Sequence, residues 1–203
     1  SHLPFLGLPY YWDEAGQFIP SALDIFREGQ WIPHSAVPSI HPPAVMAYLA
    51  ACWKVAGFHT VVTRSALLFV AVFAVLAAFL LAIELSKEAR GAPAFLAETL
   101  LCVSPRFFAQ AMLAHLDAPA MLFTTLALLL FLQDRIALCA VVTVVLVMVK
   151  ETGLVAPLVF AVWLAHERRW REMLIFAAPV VALGFWVAIL FHQTGHWTGS
   201  AEF

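Results

Sequence analysis

The sequence predicts an all-α protein: a polytopic bundle of transmembrane helices preceded by a loop that contains short helices. Of its 203 residues, 63% are hydrophobic and only 12% are charged, whereas soluble domains have about 45–50% and roughly 25%. Uncharged apolar runs recur from residue 65 onward. Lysine and arginine also concentrate between alternate runs. Charge this sparse cannot cover a water-facing surface, so the lipid bilayer must solvate much of the chain.

The first 64 residues differ from the rest, and we predict that they form an extracytoplasmic loop with interfacial helices. The aromatic side chains of Tyr10, Tyr11, Trp12 and Trp31 are of the types enriched at membrane interfaces. We expect one helix over residues 15–29 and a second over 43–57, where a proline suits the first turn. The loop also holds seven of the twelve prolines: Pro4, Pro9, Pro20, Pro33, Pro38, Pro42 and Pro43.

Residues 65–203 are predicted to form the transmembrane bundle, with about six spans. The runs 65–83 and 173–191 each extend 19 residues without a charge, close to the roughly 20 residues that cross the hydrocarbon core. Four shorter runs lie between them, each extending about 21 Å as a helix, and these need tilted flanks or local membrane thinning. They are residues 91–105, 118–132, 136–149 and 152–165.

The placement of cations predicts the orientation of this bundle. With six alternating spans, one side receives Lys87, Arg90, Arg135, Arg168, Arg169 and Arg171. By the positive-inside rule that side is cytoplasmic. The opening loop, the 105–117 turn, the 150–151 turn and the tail then lie on the extracytoplasmic side.

Polar side chains that need an explanation collect on that same side. They are Asp13, Glu14, His41, Arg106, His115, Asp117, Lys150 and Glu151. Ionisable groups at membrane depth are costly and suggest function. Each one also has a structural alternative, as a helix cap or a snorkelling anchor. Anchors should scatter over both faces, so the one-sided gathering favours a site. A net charge of -2 argues against nucleic-acid binding, which needs a basic face.

The order of these motifs is specific. Asp13-Glu14 stands upstream of Gly29 and Trp31, His41-Pro42-Pro43 opens a helix, and Arg64 begins the next span; later, Asp117 begins a span, and Lys150 precedes another. In this order and spacing the chain resembles the GT-C glycosyltransferases. The resemblance is to the branch of the protein O-mannosyltransferases, the lipid A aminoarabinose transferases and the RgtA/B/C/D-like bacterial enzymes.

This resemblance implies an integral-membrane glycosyltransferase that moves a sugar from a polyprenyl-phosphate carrier to a lipid, glycan or protein acceptor. The active site would face the extracytoplasmic side of a bacterial inner membrane. By motif position, Asp13 is the predicted catalytic base. The predicted substrate-binding residues are Glu14, His41, Arg106, Asp117, Lys150 and Glu151.

Within that set, Lys150 and Arg106 are cations suited to the leaving phosphate. His41 would contact the donor or its phosphate, and Glu14 and Asp117 would orient these groups or bind sugar hydroxyls. We expect no cofactor, with a divalent metal as the alternative because some relatives use one.

Two other interpretations of the function stay open. A transporter or lipid flippase would need polar groups throughout the membrane depth and repeated halves, and a structural subunit leaves the proline-rich loop unexplained.

Members of the family carry a span before the Asp-Glu loop and further spans beyond the region matched here. We therefore expect this chain to be an N-terminal fragment that is inactive alone.

Overall fold

The computed structural model describes residues 2–86 and 92–201, and within these ranges every regular element is helical. A π-helical turn, Glu14–Phe18, runs directly into α1 (Ile19–Glu28), which Gly29 ends in a left-handed conformation at φ 73°. Helix α2 (Ala44–Ala56) follows Pro43 and stops at Gly57. The two helices predicted in the opening loop are therefore present within one or two residues of their expected ends.

The remaining helices follow one another through short turns. They are α3 (Thr60–Leu85), α4 (Ala92–Val103), α5 (Pro105–Gln110), α6 (Asp117–Leu132), α7 (Ile136–Val149), α8 (Val155–His166), α9 (Trp170–Ile175) and α10 (Ala177–Thr194). Helix α3 begins at Thr60, five residues before the predicted boundary at residue 65. His59, which precedes the helix, has an extended backbone. Residues 60–64, which were predicted as part of the loop, therefore form the first turn of α3.

Proline fixes where three of these helices begin. Pro119, Pro157 and Pro179 are each the third residue of their helix. A proline is tolerated there because the N–H groups of the first turn have no partner within the helix. The helix does not extend further back, because the proline ring would clash with the carbonyl four residues earlier. For Pro179 that carbonyl belongs to Ile175, the last residue of α9. The segment predicted as one span over 173–191 therefore contains a turn at Phe176.

Two apolar cores hold the chain together. The first joins α1, α2 and the start of α3, where Leu49, Trp53 and Leu67 are buried. The second joins α6, α7 and α8 around Cys139 and Leu164. Helix α3 packs along α6, α6 along α7, and α7 along α10. The first core thus binds the opening loop to the bundle.

Within residues 2–86 and 92–201, two helical segments are long and apolar enough to cross a membrane. They are Thr60–Leu85 and Trp170–Thr194, with mean hydropathy of 3.1 and 2.5 in their most apolar windows. Only 28% and 22% of those windows are buried, unlike the core helix of a soluble protein. Helices α4, α6, α7 and α8 are apolar but shorter. The all-helical prediction is confirmed, while two of the six predicted spans reach the required length.

Candidate functional site

An ion pair joins the start of α6 to the residue after α7. Lys150 Nζ donates a hydrogen bond to Asp117 Oδ1 over 2.7 Å. The two helices are consecutive and antiparallel, so the first residue of one meets the end of the other. Asp117 is largely exposed and Lys150 is partly exposed. The remaining ammonium protons of Lys150 are therefore available at this surface.

A second, fully buried ion pair fastens the opening loop to α3. Glu14 and Arg64 are both 0% exposed, and the two guanidinium Nη atoms of Arg64 each donate to one carboxylate oxygen of Glu14. The backbone N–H of Ala114 donates to the same carboxylate at 2.6 Å. Arg64 also donates to the carbonyl oxygens of Met112 at 3.1 Å and Pro9 at 3.0 Å. Glu14 thus ties three distant segments together instead of facing an open site.

Aromatic side chains surround this buried pair. The guanidinium carbon of Arg64 lies 5.4 Å from the ring centroid of Tyr10, within the range of a cation–π contact. The hydroxyl of Tyr10 lies 2.8 Å from Thr63 Oγ1, to which Trp53 Nε1 donates at 2.9 Å. Arg64 was outside the predicted site set. Its signal in the sequence was a lone arginine at the head of an apolar run.

Asp13 has the opposite environment from its neighbour Glu14. It is exposed, and no described residue pairs with its carboxylate. Adjacent side chains cannot share a direction, so burying Glu14 turns Asp13 outward. Trp12, immediately before it, adopts a left-handed backbone at φ 48° and is 89% exposed. Asp134 and Arg168, in the turns after α6 and α8, adopt the same left-handed conformation at φ 57° and 59°, so this conformation alone does not mark a site.

His41 and Glu151 meet although 110 positions separate them. Nδ1 of His41 lies 2.8 Å from Oε2 of Glu151. Burial acts to raise the pKa of Glu151, but the hydrogen bond with His41, a backbone hydrogen bond and the charges of His41 and Lys150 together outweigh it and leave this pKa below its ordinary value. Phe18 lies between His41 and His115, with ring centroids 6.1 and 5.9 Å away. The residue one turn after Glu14 therefore contacts both imidazoles.

Arg106 lies on the short helix α5 and is exposed, without a partner among the described residues. Met112 and Ala114, which bond Arg64 and Glu14, follow a few residues later. Arg106 is thus close in sequence to two residues whose backbone groups bond the buried ion pair. Its guanidinium is free to meet an anion.

A separate cluster secures the loop after α1. Asp24 accepts hydrogen bonds from the backbone N–H groups of His34 and Ser35 and from the Ser35 hydroxyl. Burial acts to raise the pKa of Asp24, yet these hydrogen bonds outweigh it and lower the pKa. Asp24, Glu28 and His34 also place potential ligand atoms within 4.8 Å of one another. Because Asp24 already holds the loop, we assign no metal there, and the expectation of no cofactor stays a prediction.

The predicted residues gather at one end of the helices through a chain of contacts. Glu14 bonds Ala114, Phe18 contacts His115 and His41, and His41 meets Glu151. The residue before Glu151 is Lys150, the partner of Asp117. No contact between described residues joins Asp13 directly to Lys150.

The opposite end of the helices carries a second group of charged residues. Arg169, at the turn after α8, donates to Asp134, at the turn after α6, over 2.7 Å. Arg135 and Arg168 lie in the same two turns. Lys87 and Arg90, which belong to the predicted cytoplasmic cluster, lie outside the described residues.

Over the residues that the structure describes, the chain is all-helical, and two of its helical segments are long and apolar enough to cross a membrane. No family model, no curated protein and no solved structure matches the chain. The assignment of function therefore depends on the residues themselves.

Proposed function

We propose, first, that α3 to α10 form a multi-pass bundle in a membrane. The short helices present large apolar side chains outward as the two long ones do, including Phe95 on α4, Leu138 and Val141 on α7, and Val162 on α8. Exposed apolar surface of this extent needs an apolar surrounding. The positive-inside rule then assigns the end with Arg135 and Arg168 to the cytoplasm.

We propose, second, that the chain belongs to a GT-C-type glycosyltransferase acting on a polyprenyl-phosphate-linked sugar at the extracytoplasmic face. The observation that carries this proposal is the arrangement at one end of the helices. An exposed carboxylate without a described partner, Asp13, follows directly on a residue with left-handed backbone. Cationic groups of Lys150 and Arg106 belong to the same end.

In this mechanism Asp13 accepts the proton of the acceptor hydroxyl as the acceptor oxygen attacks the anomeric carbon. The bond from that carbon to the carrier phosphate breaks, and the phosphate leaves as an anion. Lys150 and Arg106 stabilise that anion, because fixed cations act where negative charge develops. Glu14 holds the loop in place through Arg64, while Asp117 orients the ammonium group of Lys150.

An apolar groove beside the ion pair has room for the first part of the hydrocarbon chain of the carrier. It has a volume of about 230 Å³ and lies between α2, α3, α6 and α7. Pro119 and Val149, two of its lining residues, are close in sequence to Asp117 and Lys150. A ligand with an anionic head and an apolar tail would match this combination.

The interpretation of the chain as a transporter receives less support. It requires polar groups along a path through the membrane. Among the described residues, the buried polar side chains are Glu14, Ser21, Asp24, Thr63, Arg64 and Thr143. Only Thr143 lies in the middle of a bundle helix, and its hydroxyl bonds a carbonyl of its own helix.

The test uses the full-length protein in proteoliposomes with a panel of polyprenyl-phosphate sugars. Asp13→Asn should lower turnover by about 10²–10⁴-fold, as loss of a general base does. Lys150→Ala should lower it by about 10²–10³-fold. Asp134→Asn, at the opposite end, and Lys54→Ala, an exposed lysine on α2, are the matched controls. Unchanged turnover in both site variants would overturn the proposal.

A further inference from the structure

The His41–Glu151 contact determines which hydrogen-bonding role His41 can play. Glu151 is largely buried, with 18% of its side chain exposed. The hydrogen bond with His41 favours the ionised form of its carboxylate. An ionised carboxylate has no proton to donate. Nδ1 of His41 must therefore carry the proton in the 2.8 Å hydrogen bond to Glu151.

The other ring nitrogen follows from this assignment. A neutral imidazole has one protonated nitrogen, so Nε2 of His41 is left with a lone pair and can only accept. The His41 side chain is 32% exposed, and no described group lies within hydrogen-bond distance of Nε2. A fixed acceptor is thus presented at the end of the helices where the site lies.

Among the described residues, Glu151 is the one charged group in contact with His41, so no second charge reverses this role. Glu151 faces Nδ1, and Lys150 is the residue next to Glu151 in the turn. The ring of Phe18 contacts both His41 and His115, with centroids 6.1 and 5.9 Å away. The other side chains of the small cleft beside His41 are uncharged: Gln17, Ser21, Ile25, Trp31, Pro33, Ser39, Pro43, Met46 and Trp186.

From this geometry we infer that His41 binds a hydroxyl group of a substrate through Nε2 and does not bind the carrier phosphate. A hydroxyl can donate to the lone pair of Nε2, whereas a phosphate oxyanion offers only lone pairs of its own. The inference rests on the proposed function and narrows it: Lys150 and Arg106 receive the phosphate, and His41 reads a hydroxyl of the sugar or of the acceptor. Protonation of His41 would abolish this role.

The tautomer can be measured without any activity. In protein labelled with ¹⁵N-histidine at about pH 8, where imidazole is neutral, the ring signals of His41 are identified by their loss in His41→Gln. We expect a protonated Nδ1 and an unprotonated Nε2. In Glu151→Ala the proton should redistribute to Nε2, while His192→Gln, an exposed histidine of α10, should leave the His41 signals unchanged. A protonated Nε2 in the wild-type protein at this pH overturns the inference.

The ligand is tested in the full-length enzyme. His41→Ala should raise KM by about three- to tenfold, the value of one hydrogen bond, for the donor if the hydroxyl is on the sugar and for the acceptor if it is there. Inhibition by inorganic phosphate should be unchanged in His41→Ala and weakened in Lys150→Ala. Weaker phosphate inhibition in His41→Ala at about pH 8 contradicts the inference. Absence of turnover with every donor overturns the proposed function instead, and the tautomer measurement still decides the role of His41.

Discussion

The buried pair of Glu14 and Arg64 gives the sharpest prediction about stability. In Glu14→Gln, the Arg64 guanidinium stays buried but loses its counter-charge, and one of the two side-chain oxygens that it now bonds is replaced by an NH2 group, which cannot accept a hydrogen bond. Its remaining acceptors are the amide oxygen of the glutamine and the carbonyl oxygens of Met112 and Pro9, none of which carries a charge. Hydrogen bonds to charged groups contribute about 1.5–3 kcal/mol each, and breaking one side of a buried pair costs about 3–5 kcal/mol. We therefore expect the unfolding free energy of Glu14→Gln to fall by about 3–5 kcal/mol.

The assay is reversible unfolding in mixed detergent micelles, followed by circular dichroism as the denaturing detergent is increased. Asp13→Asn is the matched control, because the neighbouring carboxylate is exposed, and it should change stability by less than about 0.5 kcal/mol. The double variant Glu14→Gln/Arg64→Leu should lose less than the sum of the single losses, by about 0.5–3 kcal/mol. Additive losses, or a Glu14→Gln variant as stable as wild type, would refute the reasoning.

Two further predictions concern packing and pH. Gly153→Ala should destabilise by about 1–3 kcal/mol, since its Cβ would lie 2.6 Å from Cγ of the buried Leu146, whereas Gly184→Ala meets nothing within 4 Å and should be neutral or stabilising; equal stabilities in thermal unfolding would contradict this. Asp24→Asn should weaken the hydrogen bonds from Ser35 and lower stability at neutral pH. Because folding lowers the pKa of Asp24, that stabilisation is present above its ordinary value of 3.8 and is lost as pH falls through the folded-state pKa. The gap in unfolding free energy between wild type and variant should therefore close in acid, and a gap independent of pH would exclude this role.

Much of the helical architecture could be predicted because local signals mark the helix ends. Helix α7 occupies the predicted range Ile136–Val149, since Arg135 and Lys150 bound its apolar run on both sides. The turn at Phe176 also had a local signal, Pro179, and the segment Trp170–Thr194 that contains this turn is long and apolar enough to cross a membrane, as the span predicted over 173–191 requires. Hydrophobic content alone cannot separate one long span from two helices that meet at a turn.

The pairing within the site could be predicted only in part. The sequence indicates that Asp13 and Glu14 point in different directions, but it does not say which of them is buried. That choice depends on Arg64, fifty positions away. The contact of His41 with Glu151 depends likewise on packing between the loop and the α7–α8 turn. Long-range contacts of this kind have no periodic signature in a single sequence.

Whether the predicted site residues share one membrane face can be measured most directly by cysteine accessibility. In a full-length background without Cys52, Cys102 and Cys139, single cysteines replace Asp13, Asp117, Arg135 or Arg168, and intact cells are treated with a maleimide that cannot cross the membrane. Cysteines at 13 and 117 should react from outside, whereas those at 135 and 168 should react only after the membrane is permeabilised. Labelling of positions 13 and 117 from opposite sides would contradict a site assembled by the opening loop and the α6–α7 end.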